Sequence, residues 1–210
     1  MPFDFKKEYK DLYQPKAAPG VIDVPDMVFI MVDGMGNPNT SEEYQSAVEI
    51  LYGLSYAIKM SKKDVNQPVG YFDFVVPPLE GLWWLSDGSE AWYVDKDRYC
   101  WTSMIRQPEF VDVIVFENVM IELRKKKPLL DISRARLELF TEGLCVQAMH
   151  FGSYDDEPST IVAIEQFIID NGYVSDISGK RRHHEIYLND PRKTATEKLK
   201  TIIRHPVKLA

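Results

Sequence analysis

The chain carries one strand–helix–strand pattern twice, and this internal repeat narrows the available folds more than any other feature. In the first copy, FIMVDG (Phe29 to Gly34) closes a continuous apolar strand and runs into a Gly/Asn/Pro loop. Thr40 and Glu43 then form a capping box. Tyr44, Ala47, Val48, Leu51, Ser55 and Ile58 follow on one helical face, which ends near Lys62–Lys63. Strand-like pieces come next at Tyr71 to Val76 and Leu79 to Trp84, then a turn signal at Asp87–Gly88 and an alternating strand from Tyr99 to Arg106. In the second copy, QAMHFG (Gln147 to Gly152) leads through an acidic loop to a helix marked by Ile161, Ile164, Phe167 and Ile168. Asn171–Gly172 closes that helix, and a strand begins at His183.

Two such units can join their strands into one antiparallel sheet with both helices on one face, leaving the other face to line a cleft. The predicted class is therefore α+β, built from duplicated strand–helix–strand–strand modules. The expected layout is a single domain over residues 1–210, with an N-terminal arm over 1–22 and a first module over 23–107. A linking helix fills 108–136 and a second module fills 137–210. The linking helix runs from Glu109 to Lys127, despite its β-branched VDVIVF run, because Arg124 to Lys127 suit a helix C-terminus and Pro128 stops it. A last helix is expected after Thr194, with Glu197 completing a capping box and Leu199, Ile202 and Ile203 forming its apolar stripe.

The stretch HHEIYLNDP, His183 to Pro191, alternates with the period of a half-buried strand. Ile186 and Leu188 fall on one face, where they can pack on a helix layer. His183, Glu185 and Tyr187 fall on the other. A carboxylate there is an ordinary exposed group if that face is wet, and a binding or catalytic group if it lines an aromatic pocket. Tyr187 divides in the same way between a packing ring and a functional hydroxyl.

Aromatic residues make up 12% of the 210, and four tryptophans, Trp83, Trp84, Trp92 and Trp101, lie within a short stretch. Adjacent Trp83 and Trp84 point to opposite faces, so one of the two faces the cleft side. Trp101 and Tyr71 are further candidate rings. Glu80 sits in the apolar run LEGLWW, as an edge-exposed group or a pocket carboxylate, because burying it ionised without a partner is costly. His150 ends a strand before a loop and reads as a structural or a site histidine. His183 and His184 read as exposed strand-start residues.

The net charge of −7 argues against direct nucleic-acid binding. Cys100 and Cys145 have no CxxC or zinc spacing, so neither a metal nor another cofactor is expected, and isolated thiols suit the cytoplasm. The chain opens with no signal-peptide pattern, and no apolar run approaches the ~20 residues of a membrane helix. DGMGN (Asp33 to Asn37) lacks the spacing of a nucleotide-binding loop.

LEGLWW, WTSMIRQPEF, FGSYDDEP and HHEIYLNDPRKTATEKLKTIIRHP together resemble the GyrI-like small-molecule-binding family over nearly the whole chain. The resemblance implies a duplicated fold with a ligand cleft near a pseudo-twofold axis, and a pocket glutamate that maps to Glu185 with Tyr187 as its neighbour. Drug-sensing members attach a DNA-binding domain to this cleft. No room for one precedes Met27, so the chain is similar to stand-alone members. These include hydrolases that open the cyclopropane of DNA-alkylating cyclopropanoid drugs.

The expected function is binding of a bulky, planar, hydrophobic molecule, with hydrolysis of an activated cyclopropane as the specific chemistry. Glu185 would position or deprotonate water, and Tyr187 or a protonated Glu80 would donate to the developing oxyanion. Trp83, Trp84, Trp101, Tyr71 and His150 would line the ligand. The alternatives are a non-catalytic partner protein that acts on DNA gyrase, and a sensor that sequesters drug without turnover. Either a monomer or a homodimer suits these readings.

Overall fold

The computed structural model describes residues 1–63, 67–87 and 96–210. The turn expected at Asp87–Gly88 runs out of the described residues, and Trp92 lies outside them. Two short helices, α1 (Phe5–Glu8) and α2 (Lys10–Tyr13), form the arm. Then follow β1 (Gly20–Val24), β2 (Met27–Met35), α3 (Glu42–Met60), β3 (Leu79–Leu85), β4 (Tyr99–Arg106) and α4 (Val113–Lys126). The second half holds β5 (Arg136–Phe140), β6 (Gly143–Phe151), α5 (Glu157–Asp170), β7 (Tyr173–Ser175), β8 (His183–Tyr187) and β9 (Lys200–Leu209).

The strands form one antiparallel sheet in the order β1-β6-β9-β8-β3-β4-β2-β5, with β7 paired to the far end of β9. The order is symmetric about its centre. β2, β4 and β3 mirror β6, β9 and β8, and β3 pairs directly with β8. The α+β class and the duplicated antiparallel sheet read from the repeat are both present.

Each long helix is cut to fit. Ser41, one residue after the expected Thr40, caps α3 by accepting from the Tyr44 amide at 3.2 Å. Ala47, Ile50, Leu51, Leu54 and Ile58 are the buried stripe of α3. Pro158 occupies the first turn of α5, where a missing N–H costs nothing. Ile161, Ile164 and Ile168 bury against Val146, Ala148, Ile203 and Val207. No helix among the described residues is long and apolar enough to cross a membrane.

Three elements differ from expectation. The C-terminal helix is the strand β9. Thr201, Ile202, Ile203 and Val207 are β-branched, and pairing with both β6 and β8 outweighs the helical spacing of Leu199, Ile202 and Ile203. Pro206 falls between the β8 and β7 pairings of β9, where no partner needs its amide. Tyr71 to Val76 is not a strand, and only a Phe3–Phe74 bridge forms there.

The third difference concerns layers. The alternation of β8 is as read, but the helices lie on the Glu185 face. α3 covers β2 and β4, and α5 covers β6 and β9. The Ile186 face is closed instead by the arm, through Phe5, Leu12 and Tyr13. The central pair β3–β8 runs between the two long helices, so any cleft on that face opens at the symmetry axis.

Candidate functional site

β8 presents His183, Glu185 and Tyr187 along the central gap. Glu185 Oε1 accepts from His183 Nε2 at 2.9 Å, and Oε2 accepts from the Tyr187 hydroxyl at 2.6 Å. Tyr187 Oη in turn accepts from Trp83 Nε1 at 3.0 Å. Behind His183, its Nδ1 lies 2.7 Å from His205 Nε2, and those two nitrogens share one proton. Burial, then the neighbouring His183, holds His205 well below the usual histidine range, in its neutral form. The result is a directed chain in which every donor points toward one carboxylate.

Backbone register explains why the chain closes. Gly81 of β3 stands opposite Glu185, and Trp83 stands opposite His183. A Cβ on Gly81 would sit 2.7 Å from Trp83 Nε1, so the glycine leaves the space in which the indole leans toward Tyr187. Gly34 of β2 does the same for Trp101, whose ring would meet a Cβ there at 2.2 Å.

The walls are aromatic. The ring of Tyr44, in the first turn of α3, lies 5.9 Å from Trp83 and 5.0 Å edge-on to Trp101. Tyr99 stands 5.7 Å from Trp83, and Tyr154 stands 5.7 Å edge-on to Tyr187. The Glu185 side chain keeps 15% of its surface exposed, which leaves it within reach of a solute.

Electrostatics separate two carboxyls. Burial opposes ionisation of Glu185, but the hydrogen bonds from His183 and Tyr187 prevail and hold it below the usual carboxylate range. Glu157, at the start of α5, is buried and points at the same carboxylate. Burial first, and the Glu185 charge second, push Glu157 well above the usual range. The phenols stay protonated. Tyr99 is pushed up to about 12 by burial and the Glu185 charge, and Tyr154 to about 12 by burial and the Glu157 charge.

Of the residues singled out in the sequence, Glu185, Tyr187, Trp83 and Trp101 come together here. Glu80 does not. Its side chain is on the opposite face, where Oε1 accepts from Tyr13 Oη at 3.3 Å and Oε2 from His184 Nε2 at 3.0 Å. It pairs with Ile186, not Glu185, across the β3–β8 register. Trp84 also faces away, under the Arg182 guanidinium at 4.6 Å. Tyr71 packs on Phe110 and donates to the Lys59 carbonyl at 2.7 Å. His150 bonds Thr160 and the Ser153 carbonyl, both at 2.9 Å, and so steadies the loop into α5.

His183 and His184 are buried rather than exposed. His184 Nδ1 and Nε2 reach Glu142 and Glu80, and Arg204 Nη1 donates to Glu142 at 2.7 Å. Sequence reading missed Glu157, Tyr44, Tyr99, Tyr154 and His205 as neighbours of Glu185. A usable signal was present in FGSYDDEP, where Tyr154 and Glu157 sit three residues apart at a helix start.

The GyrI-like small molecule binding domain, as a family model, matches residues 18–208. The chain belongs to that family. Among solved structures, an uncharacterized conserved protein from Listeria innocua is 50% identical, with a TM-score of 0.93 over 98% of this chain and 100% of that one. A protein described as a hydrolase from Listeria innocua is 48% identical, with a TM-score of 0.90 over 98% of this chain and 100% of that one. The EcmrR C-terminal domain shares the fold at 12% identity, with a TM-score of 0.54 over 91% of this chain and 98% of that one. No curated protein matches.

Proposed function

We propose that this GyrI-like domain binds a bulky, flat, hydrophobic molecule against Trp83, Tyr44, Tyr99 and Tyr154, and hydrolyses the activated cyclopropane of cyclopropanoid DNA-alkylating compounds. The role is detoxification. The observation that carries the reading is an oriented Glu185 carboxylate, held by His183 and Tyr187, still partly exposed, and set among the rings of Trp83, Tyr44, Tyr99 and Tyr154. The description of a 48% identical relative as a hydrolase supports it.

In this reading the flat ligand stacks on the rings, and water sits between Glu185 and the strained ring carbon. Glu185 takes a proton as the water oxygen bonds to that carbon. The broken C–C bond sends its electron pair through the conjugated system to the ligand carbonyl. Tyr187 has one hydroxyl proton, already donated to Glu185, so its part is to fix the base. Glu80, on the opposite face, has no part in this step.

The test is incubation of purified protein with a cyclopropanoid alkylator, with ring opening followed by mass spectrometry. Wild-type protein should open the ring, and Glu185→Gln should be slower by roughly two orders of magnitude or more. Equal rates would remove the hydrolytic reading. Quenching of tryptophan fluorescence without product would leave a drug-sequestering protein.

A further inference from the structure

His205 is a buried polar side chain in an apolar place, and no step described above uses it. Along β9, Ile203, His205 and Val207 alternate onto the α5 face, and Ile203 and Val207 belong to the apolar cluster under that helix. Val146 of β6 stands opposite His205. Packing alone would favour an aliphatic side chain here, because a polar ring sealed from water has to be matched by a hydrogen bond. That bond runs to His183. His184 pairs with Arg204 across β8 and β9, so His183 and His205 form the next opposed pair, with ring centroids 5.0 Å apart. Both residues are 2% exposed.

The direction of the hydrogens follows from their chemistry. A carboxylate only accepts, so His183 Nε2 must carry a hydrogen to bond Glu185 Oε1 at 2.9 Å. His183 Nδ1 is then the atom that meets His205 Nε2 at 2.7 Å. When His183 is neutral, Nδ1 accepts and His205 Nε2 donates. When His183 is charged, Nδ1 donates and His205 Nε2 accepts. A neutral imidazole meets both cases by carrying its hydrogen on one nitrogen or the other. Burial, with the neighbouring His183, holds His205 neutral. A carboxamide can also meet both cases by turning over, whereas an aliphatic side chain meets neither.

We propose, resting on the ring-opening reading above, that His205 is a positioning residue: it keeps His183 Nε2–H aimed at Glu185 in either charge form of His183, and so holds the base in one orientation toward the attacking water. A base oriented by a further buried group is a recurrent device of catalytic sites. His205 stands behind His183 and acts on Glu185 through that ring.

The other groups around Glu185 do not depend on residue 205. Tyr187 on β8 and Glu157 at the start of α5 bond the carboxylate, and Tyr44 on α3, Tyr99 on β4 and Tyr154 before α5 lie within range of its charge. Around His205, the charged neighbour is His183, while β6 offers Val146 and α5 packs Ile161, Ile164 and Ile168 on the same cluster. A change in Glu185 produced from residue 205 therefore reports the His183 tether.

His205→Leu and His205→Gln separate this role from packing. Leucine fills the space with apolar atoms and removes the partner of His183 Nδ1 at 2.7 Å. Glutamine keeps an amide that can donate or accept. In ring opening followed by mass spectrometry, H205L should lower kcat by roughly tenfold to a hundredfold, with little change in KM. Glu185 works as the ionised base and loses a well-aimed donor, so the acid limb of the pH–rate profile should move up by about half to one pH unit. H205Q should restore both rate and limb. An H205L enzyme with wild-type kcat and limb would overturn the proposal. So would a loss that H205Q shares in full, because packing and not the hydrogen bond would then be its cause.

Carbon-13 NMR of the side-chain carboxyls gives a second reading that needs no turnover, with the Glu185 signal assigned by its loss in Glu185→Gln. Glu185 should titrate at higher pH in H205L, by the same half to one unit or about that, and return toward the wild-type value in H205Q. An unmoved Glu185 would overturn the tether. If wild type opens no ring but Glu185 moves in this way, the hydrolytic reading fails while His205 stands as the group that orients the carboxylate.

Discussion

Glu142→Gln is the substitution whose effect can best be worked through. Glu142 is buried on the face behind the site, accepting from His184 Nδ1 at 2.9 Å and Arg204 Nη1 at 2.7 Å. Burial alone would favour its neutral acid. The charges and hydrogen bonds of His184 and Arg204 outweigh burial and bring it from 4.5 down to about 2. At 1.36 kcal/mol per unit, that shift corresponds to about 3 kcal/mol of folding stability. The same pair seen from His184 runs the other way. Burial would depress it, but Glu142 first and Glu80 second raise it from 6.5 to about 9.

The two values describe one interaction and are not summed. The carboxylate contribution is present above pH 4.5 and lost as pH falls through about 2. The histidine contribution is full below pH 6.5 and lost as pH rises through about 9. Glu142→Gln leaves buried Arg204 without a carboxylate partner and His184 with Glu80 alone, a change that costs roughly 3–5 kcal/mol in comparable sites. Urea unfolding at neutral pH, followed by tryptophan fluorescence, should show a loss of about 3 kcal/mol with little change in slope. In the variant, the alkaline decline of stability should begin closer to the ordinary histidine range. A variant within about 1 kcal/mol of wild type, with the same alkaline decline, would refute the argument.

Gly34→Ala should cost roughly 1–3 kcal/mol, because its Cβ would lie 2.2 Å from the buried, rigid Trp101 indole and the strand must move. A thermal melt that matches wild type would contradict this. Trp83→Phe keeps a ring but removes the donor to Tyr187 Oη, a net loss of about 1 kcal/mol. Tyr187 then donates less strongly to Glu185, whose carboxyl rises toward its ordinary range. The acid limb of the proposed ring opening should therefore move to higher pH, and an unmoved limb would sever Trp83 from the base.

Legibility in the sequence followed the range of each interaction. The repeat was visible because strand and helix periods are local, and so was the facing of His183, Glu185 and Tyr187, because alternation is local too. β9 was misread because its apolar spacing fits both periods, and its pairing partners lie far away in sequence. Glu80 was placed in the site because a buried carboxylate needs a partner. The partners proved to be Tyr13 and His184, separated from it by 67 and 104 residues. Glu157 passed as a helix-start acid because FGSYDDEP offers three acids in a row, and nothing in that run tells which one turns inward.

β8 does its work on two faces at once, and this links stability to the site. Its odd-numbered residues from His183 to Tyr187 hold the Glu185 carboxylate, the proposed base, while His184 and Ile186 look the other way. Behind the base, Tyr13 bonds Glu80 of β3, Arg204 of β9 bonds Gln147 of β6 at 3.1 Å, and Arg204 also reaches the Leu12 carbonyl at 3.2 Å. Gln147 Nε2 donates to the Asp11 carbonyl at 2.7 Å. The arm and the two modules are therefore tied together by buried polar bonds one residue away from Glu185. In the proposed ring opening, a carboxylate that holds a water against a small strained ring needs its strand fixed, because a displacement of about 1 Å can cost two orders of magnitude in rate. Loosening His184 or Glu142 should thus appear twice, as lost stability and as a less ordered Glu185, even though neither residue shares a face with the central gap.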